Sequence, residues 1–217
     1  EIVLVTGVQT CALPISVVMI TLLRDISLFF NQLKLARHVQ SPVYIRTADE
    51  ESPMRVSDWN TQPQDHLIDH LLTRYHARHR EQLPELVRLA SRVEQVHGHH
   101  LQCPNGLADL LHDMQQELES HMLKEEQVLF PMLQMGMGPQ AATPIQVMRY
   151  EHDQHAEALE QLLSLTNQIT PPAEACNTWR SLYRELSAFH ADLREHIRLE
   201  NDILFANAAP GLVPARA

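Results

Sequence analysis

The sequence predicts an all-α protein, an antiparallel up-down four-helix bundle with an internal two-fold pseudo-repeat. Three observations predict it. The 217-residue chain is 44% apolar but only 5% aromatic and holds just 6 glycines, a balance that suits helices better than a sandwich or barrel rich in Gly turns. From about Trp59 onward, apolar residues recur at helical spacing in four long segments joined by short connections. Finally, HMLKEEQVLF (His121 to Phe130) returns as HIRLENDILF (His196 to Phe205), with His, Glu four residues on, and Leu-Phe in one register.

The elements follow in order. Thr61-Gln-Pro-Gln64 has the S/T-x-x-E/Q pattern of a capping box, with Pro at an early helical position. It predicts a first helix running to about Val96, with Leu67, Leu71, Leu72, Leu83, Leu86, Val87 and Leu89 on one face. Pro84 should kink it. After the break HGHHLQCPNG, a second helix spans about Leu107 to Leu133, carrying Leu110, Leu111, Met114, Leu118, Met122 and Leu129. MGMGP ends it with C-terminal glycine chemistry. Thr143-Pro-Ile-Gln146 opens a third helix with another capping-box pattern, TNQITPP closes it, and a fourth runs from about Ala173 to Phe205.

The repeat extends further. His76 and His79 in HARHREQL recur as His152 and His155 in HDQHAEAL. Helices one and two thus echo helices three and four, and equivalent ligands should converge near a pseudo-twofold axis. The domain so defined covers residues 55–210, with a tail at 211–217. Residues 1–54 are of another kind. VTGVQTCALPI (Val5 to Ile15) resembles the one-frame translation of a short-read sequencing adapter, and the segment after it has no clean period, as a remnant or out-of-frame stretch would. No functional reading attaches to them.

Charge and cysteine usage exclude several function classes. Seventeen Lys and Arg against 27 Asp and Glu leave a net charge of −10, with no long basic run, so nucleic acid is not an expected partner. The apolar run from Ala12 to Leu23 stops at Arg24, too short to cross a bilayer, and no basic n-region precedes it. No membrane association is expected. Cys11, Cys103 and Cys176 form neither a CxxC pair nor a disulfide framework, which fits a reducing compartment and makes the cytoplasm the expected location.

The outlying number is 14 histidines, because imidazole is the commonest metal ligand. Residues four apart on a helix share a face, with Cβ atoms about 5–6 Å apart. His121 with Glu125, and His196 with Glu200, can each aim one imidazole and one carboxylate at the same interior spot. A carboxylate has two oxygens and can bridge two metals about 3.5–4 Å apart. One further His from helix one (His76 or His79) and one from helix three (His152 or His155) would complete four imidazoles and two bridges. In each of those pairs the other histidine is expected at the surface. Each ion then keeps room for a bridging oxide or hydroxide and an exogenous ligand. Mixed N/O ligation without thiolate suits iron, with manganese or zinc as alternatives.

A lone H-x-x-x-E is usually an exposed polar pair; two in matched register, each leading into Leu-Phe, are not so easily explained. The spacing also differs from the ferritin-type E-x-x-H. His66, His70, His97, His99, His100, His112 and His190 read as solvated or capping residues, and Cys103 and Cys176 as incidental.

RYHARHREQLPEL, ELESHMLKEEQVLFPM, MGMGPQAATPIQVMRYEHD, TPPAEACNTW and DLREHIRLENDILF closely resemble the bacterial Repair of Iron Centers family. That is the hemerythrin-like di-iron group of iron–sulfur cluster repair proteins. The resemblance covers about Trp59 to Phe205. It implies two iron ions in an oxo- or hydroxo-bridged centre, with ligands at His76, His121, Glu125, His152, His196 and Glu200. It thereby chooses His76 over His79 and His152 over His155, and makes Glu125 and Glu200 the bridges. Two departures matter. Family members usually begin with a small domain bearing a Cys-Cys-Gly-Gly type motif, which this sequence does not contain. Oxygen-carrying hemerythrins use a paired H-x-x-x-H on the third helix, whereas here position 156 is Ala and position 148 is Met.

The resemblance implies repair of clusters damaged by nitrosative or oxidative stress, by supplying iron to damaged or apo iron–sulfur proteins. A competing reading is reduction of nitric oxide to nitrous oxide at the same pair, with Glu117, one turn before His121, and Glu151, beside His152, as proton carriers. Both acids have a plain alternative as solvated surface groups. A weaker reading is oxygen or redox sensing, with nitric oxide or dioxygen as the small ligand. A homodimer is compatible with any of these.

Overall fold

The computed structural model describes residues 56–209. The readings of residues 1–54 and of the tail at 211–217 lie outside the described residues. Four helical rods follow a short 3-10 turn, Val56–Thr61. The first rod joins α1 (Gln64–His70), a π turn (Leu71–His76) and α2 (Ala77–His97). The second joins α3 (Leu107–Lys124), a π turn (Glu125–Leu129) and α4 (Phe130–Gln134). The third is α5 (Ala142–Leu165), and the fourth joins α6 (Asn177–Leu199), a π turn (Glu200–Leu204) and α7 (Phe205–Ala208). The first and third rods each pack against the second and fourth. Short connections between successive rods make neighbours antiparallel.

Helix ends show how far local rules carry. The second rod closes in a Schellman turn: Gly136, at φ 71°, donates to the Leu133 carbonyl at 2.9 Å, and Met137 donates to that of Met132 at 3.0 Å. The starts depart from expectation. Thr61 does not cap α1; its hydroxyl donates to the Asp58 carbonyl at 2.9 Å, inside the 3-10 turn, and Pro63 takes the N-cap position without a side-chain bond. Thr143 likewise sits inside α5, which starts at Ala142 with no side-chain cap. The fourth rod begins at Asn177, with extended Cys176 as its N-cap, rather than at Ala173. Pro84 lies within α2 without ending it.

The core draws fully buried leucines from every rod, among them Leu86, Leu111, Leu162 and Leu186, together with Trp179 and Phe189. Each buried leucine contributes about 1.5–3 kcal/mol of transfer free energy. A second set of buried apolar residues, including Leu67, Ile68, Phe130, Ile145 and Phe205, falls nearer the opposite rod ends. In every rod the buried histidines lie between these two sets. Among the described residues, no helix is long and apolar enough to cross a membrane.

Candidate metal centre

The three π turns occur where polar residues enter the core. Wider turns are closed by i→i−5 bonds, from the Ala77 amide to the Leu72 carbonyl, Phe130 to Glu125, and Phe205 to Glu200. His76 ends the first π turn, while Glu125 and Glu200 begin the other two. An extra residue per turn shifts the helical face locally. His121 and Glu125 therefore both point inward while Val128, Leu129 and Phe130 remain buried beyond them.

His76, His121, Glu125, His152, His196 and Glu200 are all at most 1% exposed. They form two overlapping quartets: His76, Glu125, His196 and Glu200; and His121, Glu125, His152 and Glu200. Within each quartet one ligand atom per residue lies within 4.8 Å of all the others. Each quartet has two imidazoles from adjacent rods, and both contain the same two carboxylates. Glu125 Oε2 stands 3.4 Å from the Nε2 atoms of both His76 and His121. Glu200 reaches His196 with Oε1 and His152 with Oε2, each at 3.1 Å.

Unsatisfied atoms test whether cations fit. His76 Nε2, both oxygens of Glu125 and Glu200 Oε2 are buried without hydrogen-bond partners. Buried polar atoms are normally bonded, and an isolated buried charge is far more costly than an isolated buried amide. Two cations shared between the quartets would satisfy all four atoms. The residues fit a two-cation site.

Outer partners orient the imidazoles. His76 Nδ1 meets Glu126 Oε1 at 2.8 Å, which also accepts from Arg80 at 2.9 Å. His121 Nδ1 meets Glu151 Oε2 at 2.9 Å, and Glu151 is paired with Lys124. His152 Nδ1 meets Asn201 Oδ1 at 3.1 Å. Such partners fix the ring and the tautomer and raise ligand basicity. His196 Nδ1 is buried with no partner; Tyr75 lies flat on its ring, centroids 5.4 Å apart.

Electrostatics follow the contacts. Burial opposes a charge on His76, but the carboxylates of Glu125, 3.4 Å away, and of Glu126, hydrogen-bonded to Nδ1, outweigh it and raise the imidazole to about 9. The His76 hydrogen bond, aided by Arg80, brings Glu126 down to about 2. For Glu200, burial acts against ionisation, yet the charge and hydrogen bond of His196 and the neighbouring His152 imidazole hold it well below the usual carboxylate range. Glu151 is also lowered: burial resists, while His121 and Lys124 prevail. Burial pushes His79 down to about 2 and His155 to about 3.

The six ligand candidates thus come together, and Glu151 lies beside them. Glu117 is exposed on α3. The expectation that one histidine of each pair would lie at the surface is corrected: His79 and His155 are buried too, because an i+3 step keeps them on the inward face of their helices. Glu126, Asn201 and Arg80 escaped sequence reasoning. The repeat did carry a signal for two of them, since Glu126 follows Glu125 as Asn201 follows Glu200. Each supports a histidine of the other half-pair, His76 and His152 respectively.

Comparisons with known proteins agree with this geometry. Residues 67–208 match the hemerythrin HHE cation binding domain. The chain is 52% identical over 165 residues to the iron-sulfur cluster repair protein YtfE of Yersinia pseudotuberculosis serotype IB, covering 76% of this chain and 75% of that protein. It is 52% identical over 161 residues to the protein of the same name from Citrobacter koseri, covering 74% and 73%.

Proposed function

The chain belongs to the hemerythrin HHE cation-binding family, and on that premise we propose that it holds two iron ions and restores damaged iron–sulfur clusters by supplying iron from this site. The ligands in this reading are His76 and His196 for one ion, His121 and His152 for the other, with Glu125 and Glu200 shared. The observation that carries it is the sharing of two buried carboxylates by two His-pair quartets. Nitrogen and oxygen donors without thiolate suit iron. A bound iron pair would supply exchangeable, redox-active metal, the material that a damaged cluster has lost.

The protein's own residues set how firmly that metal is kept. Two imidazoles and the two shared carboxylates would hold each ion, a smaller donor set than a closed six-coordinate cage. Burial of the six side chains keeps bulk water from competing. The recipients are damaged or apo iron–sulfur proteins met under nitrosative or oxidative stress, with nitric oxide or dioxygen as small ligands, and the setting is the cytoplasm. The test incubates the iron-loaded chain with an apo iron–sulfur protein and follows iron transfer and cluster absorption. Iron that stays bound beside a competent acceptor refutes the reading.

Reduction of nitric oxide to nitrous oxide is the second reading, and Glu151 is the observation in its favour, because it joins His121 to Lys124 near the surface. The reaction consumes two protons and two electrons per pair of nitric oxide molecules. Glu151 is held low, so it is ionised at neutral pH and is better suited to hold His121 than to donate protons. Headspace gas analysis after nitric oxide addition to the ferrous form separates the two readings.

A further inference from the structure

The repeat assigns outer partners in equivalent pairs, and one position breaks the rule. Glu126 and Asn201 are equivalent and do equivalent work. Glu151 precedes His152 as Tyr75 precedes His76. Glu151 gives His121 a carboxylate oxygen at 2.9 Å. Tyr75, in the same place relative to His196, presents a ring face instead, stacked at 9°. His196 Nδ1 is left as a buried nitrogen without an acceptor.

A second orphan nitrogen stands beside it. His79 is fully buried, and its Nε2 also has no partner. The His79 and His196 rings are 5.3 Å apart between centroids and tilted by 33°. An N–H···N bond of about 3 Å between two imidazoles places their centroids about 5 Å apart. The two nitrogens are not bonded as the rings stand, but at this separation a turn of either ring could bring them together.

The hydrogen-bond directions agree. Arg74 donates to Asp192 at 2.6 Å, so Asp192 is held as an acceptor. Gln82 donates its Nε2 to Asp192 at 3.1 Å, which turns Gln82 Oε1 toward His79 Nδ1 at 3.4 Å. His79 must therefore carry its proton on Nδ1, and Nε2 is a lone pair. A His196 that ligates through Nε2 carries its proton on Nδ1 and needs an acceptor. His79 offers one.

We propose that His79 is the positioning residue for His196, accepting its Nδ1–H and linking it through Gln82 and Asp192 to Arg74 at the surface. The inference rests on the di-iron reading above. With it, all four ligand imidazoles have an outer partner: Glu126, Glu151, Asn201 and His79. His155, the repeat equivalent of His79, has no such role. It stands edge-on to His121, 5.1 Å away at 90°, and His121 Nδ1 is already occupied by Glu151.

The test uses the full chain. Iron loss to a ferrous chelator is followed in the iron-loaded wild type and in the His79→Leu, His79→Gln and His155→Leu variants. His79→Leu should speed loss of one of the two ions by about 10–100-fold, the usual effect of removing an outer partner. The other ion should leave at the wild-type rate. His79→Gln, which restores an acceptor oxygen, should recover most of the retention, and His155→Leu should stay within about twofold of wild type. Wild-type kinetics in His79→Leu, or an equal effect of His155→Leu, would overturn the proposal. Nitrogen-15 NMR of histidine-labelled, metal-free wild type should show His79 as the Nδ1–H tautomer, and an Nε2–H tautomer would overturn it whatever the variants do. A wild type that retains no metal would sink the di-iron reading instead, while the tautomer result would still stand.

Discussion

His121 Nε2 and His152 Nε2 face each other at 3.1 Å in the middle of the bundle, from rods that are neighbours in space. Two neutral imidazoles in that position share one hydrogen at most. Both lone pairs would become useful as donors to a cation, which Glu125 and Glu200 in the same quartet would also hold.

Glu125 is the clearest test of that dependence, because both its oxygens are buried without partners. Glu125→Gln removes one of the two shared carboxylates and should abolish two-ion loading. Elemental analysis of the folded variant reads the effect. A variant that loads two ions normally contradicts the assignment.

Proton release should accompany loading. His76 is raised from 6.5 to about 9 in the metal-free fold. A raised histidine contributes stability that is fully present below 6.5 and is lost as pH rises through 9, so the metal-free protein should weaken toward alkaline pH. A metal at its Nε2 displaces that proton. Loading at pH 7 should thus release about one more proton than loading above pH 9, and binding should weaken as pH falls. A pH-stat titration measures this, and equal release at both pH values would exclude it.

The two acids considered as proton carriers should behave differently. Glu151 supports His121 directly, so Glu151→Gln should weaken retention of one ion by about 10–100-fold. Glu117 is exposed, and Glu117→Gln should leave retention and spectra unchanged. Chelator competition on the two variants decides it, and a strong effect from Glu117 would mean that its surface position misleads.

Away from the site, Gly138 lies against the end of the fourth rod, where an added Cβ would run into the backbone carbonyl of Ala208. Backbone cannot yield as a flexible side chain can. Gly138→Ala should cost about 1–3 kcal/mol and lower the melting temperature, with iron stoichiometry preserved in the folded fraction. Thermal melts that match the wild type would contradict it.

Much of this site was legible from sequence because helical periodicity is a local property. A His and a Glu four apart on a helix must share a face, and their recurrence in HMLKEEQVLF and HIRLENDILF placed two such faces in one bundle. Spacing alone left His76 and His79, and likewise His152 and His155, undecided, and only the family resemblance separated them. The structure explains the ambiguity: all four are buried, and what distinguishes them is which reach the carboxylates.

The chain's own letters sufficed for four rods, their pairing in two related halves, and the residue types around the centre, since each depends on neighbours within a few turns. Three things had to wait for the assembled bundle: the π turns that begin at Glu125 and Glu200, the solvent position of Glu117, and the partner behind each imidazole. Those depend on how far one rod slides and rotates against the next, a quantity set by side-chain packing summed over the whole interface and written in no single stretch.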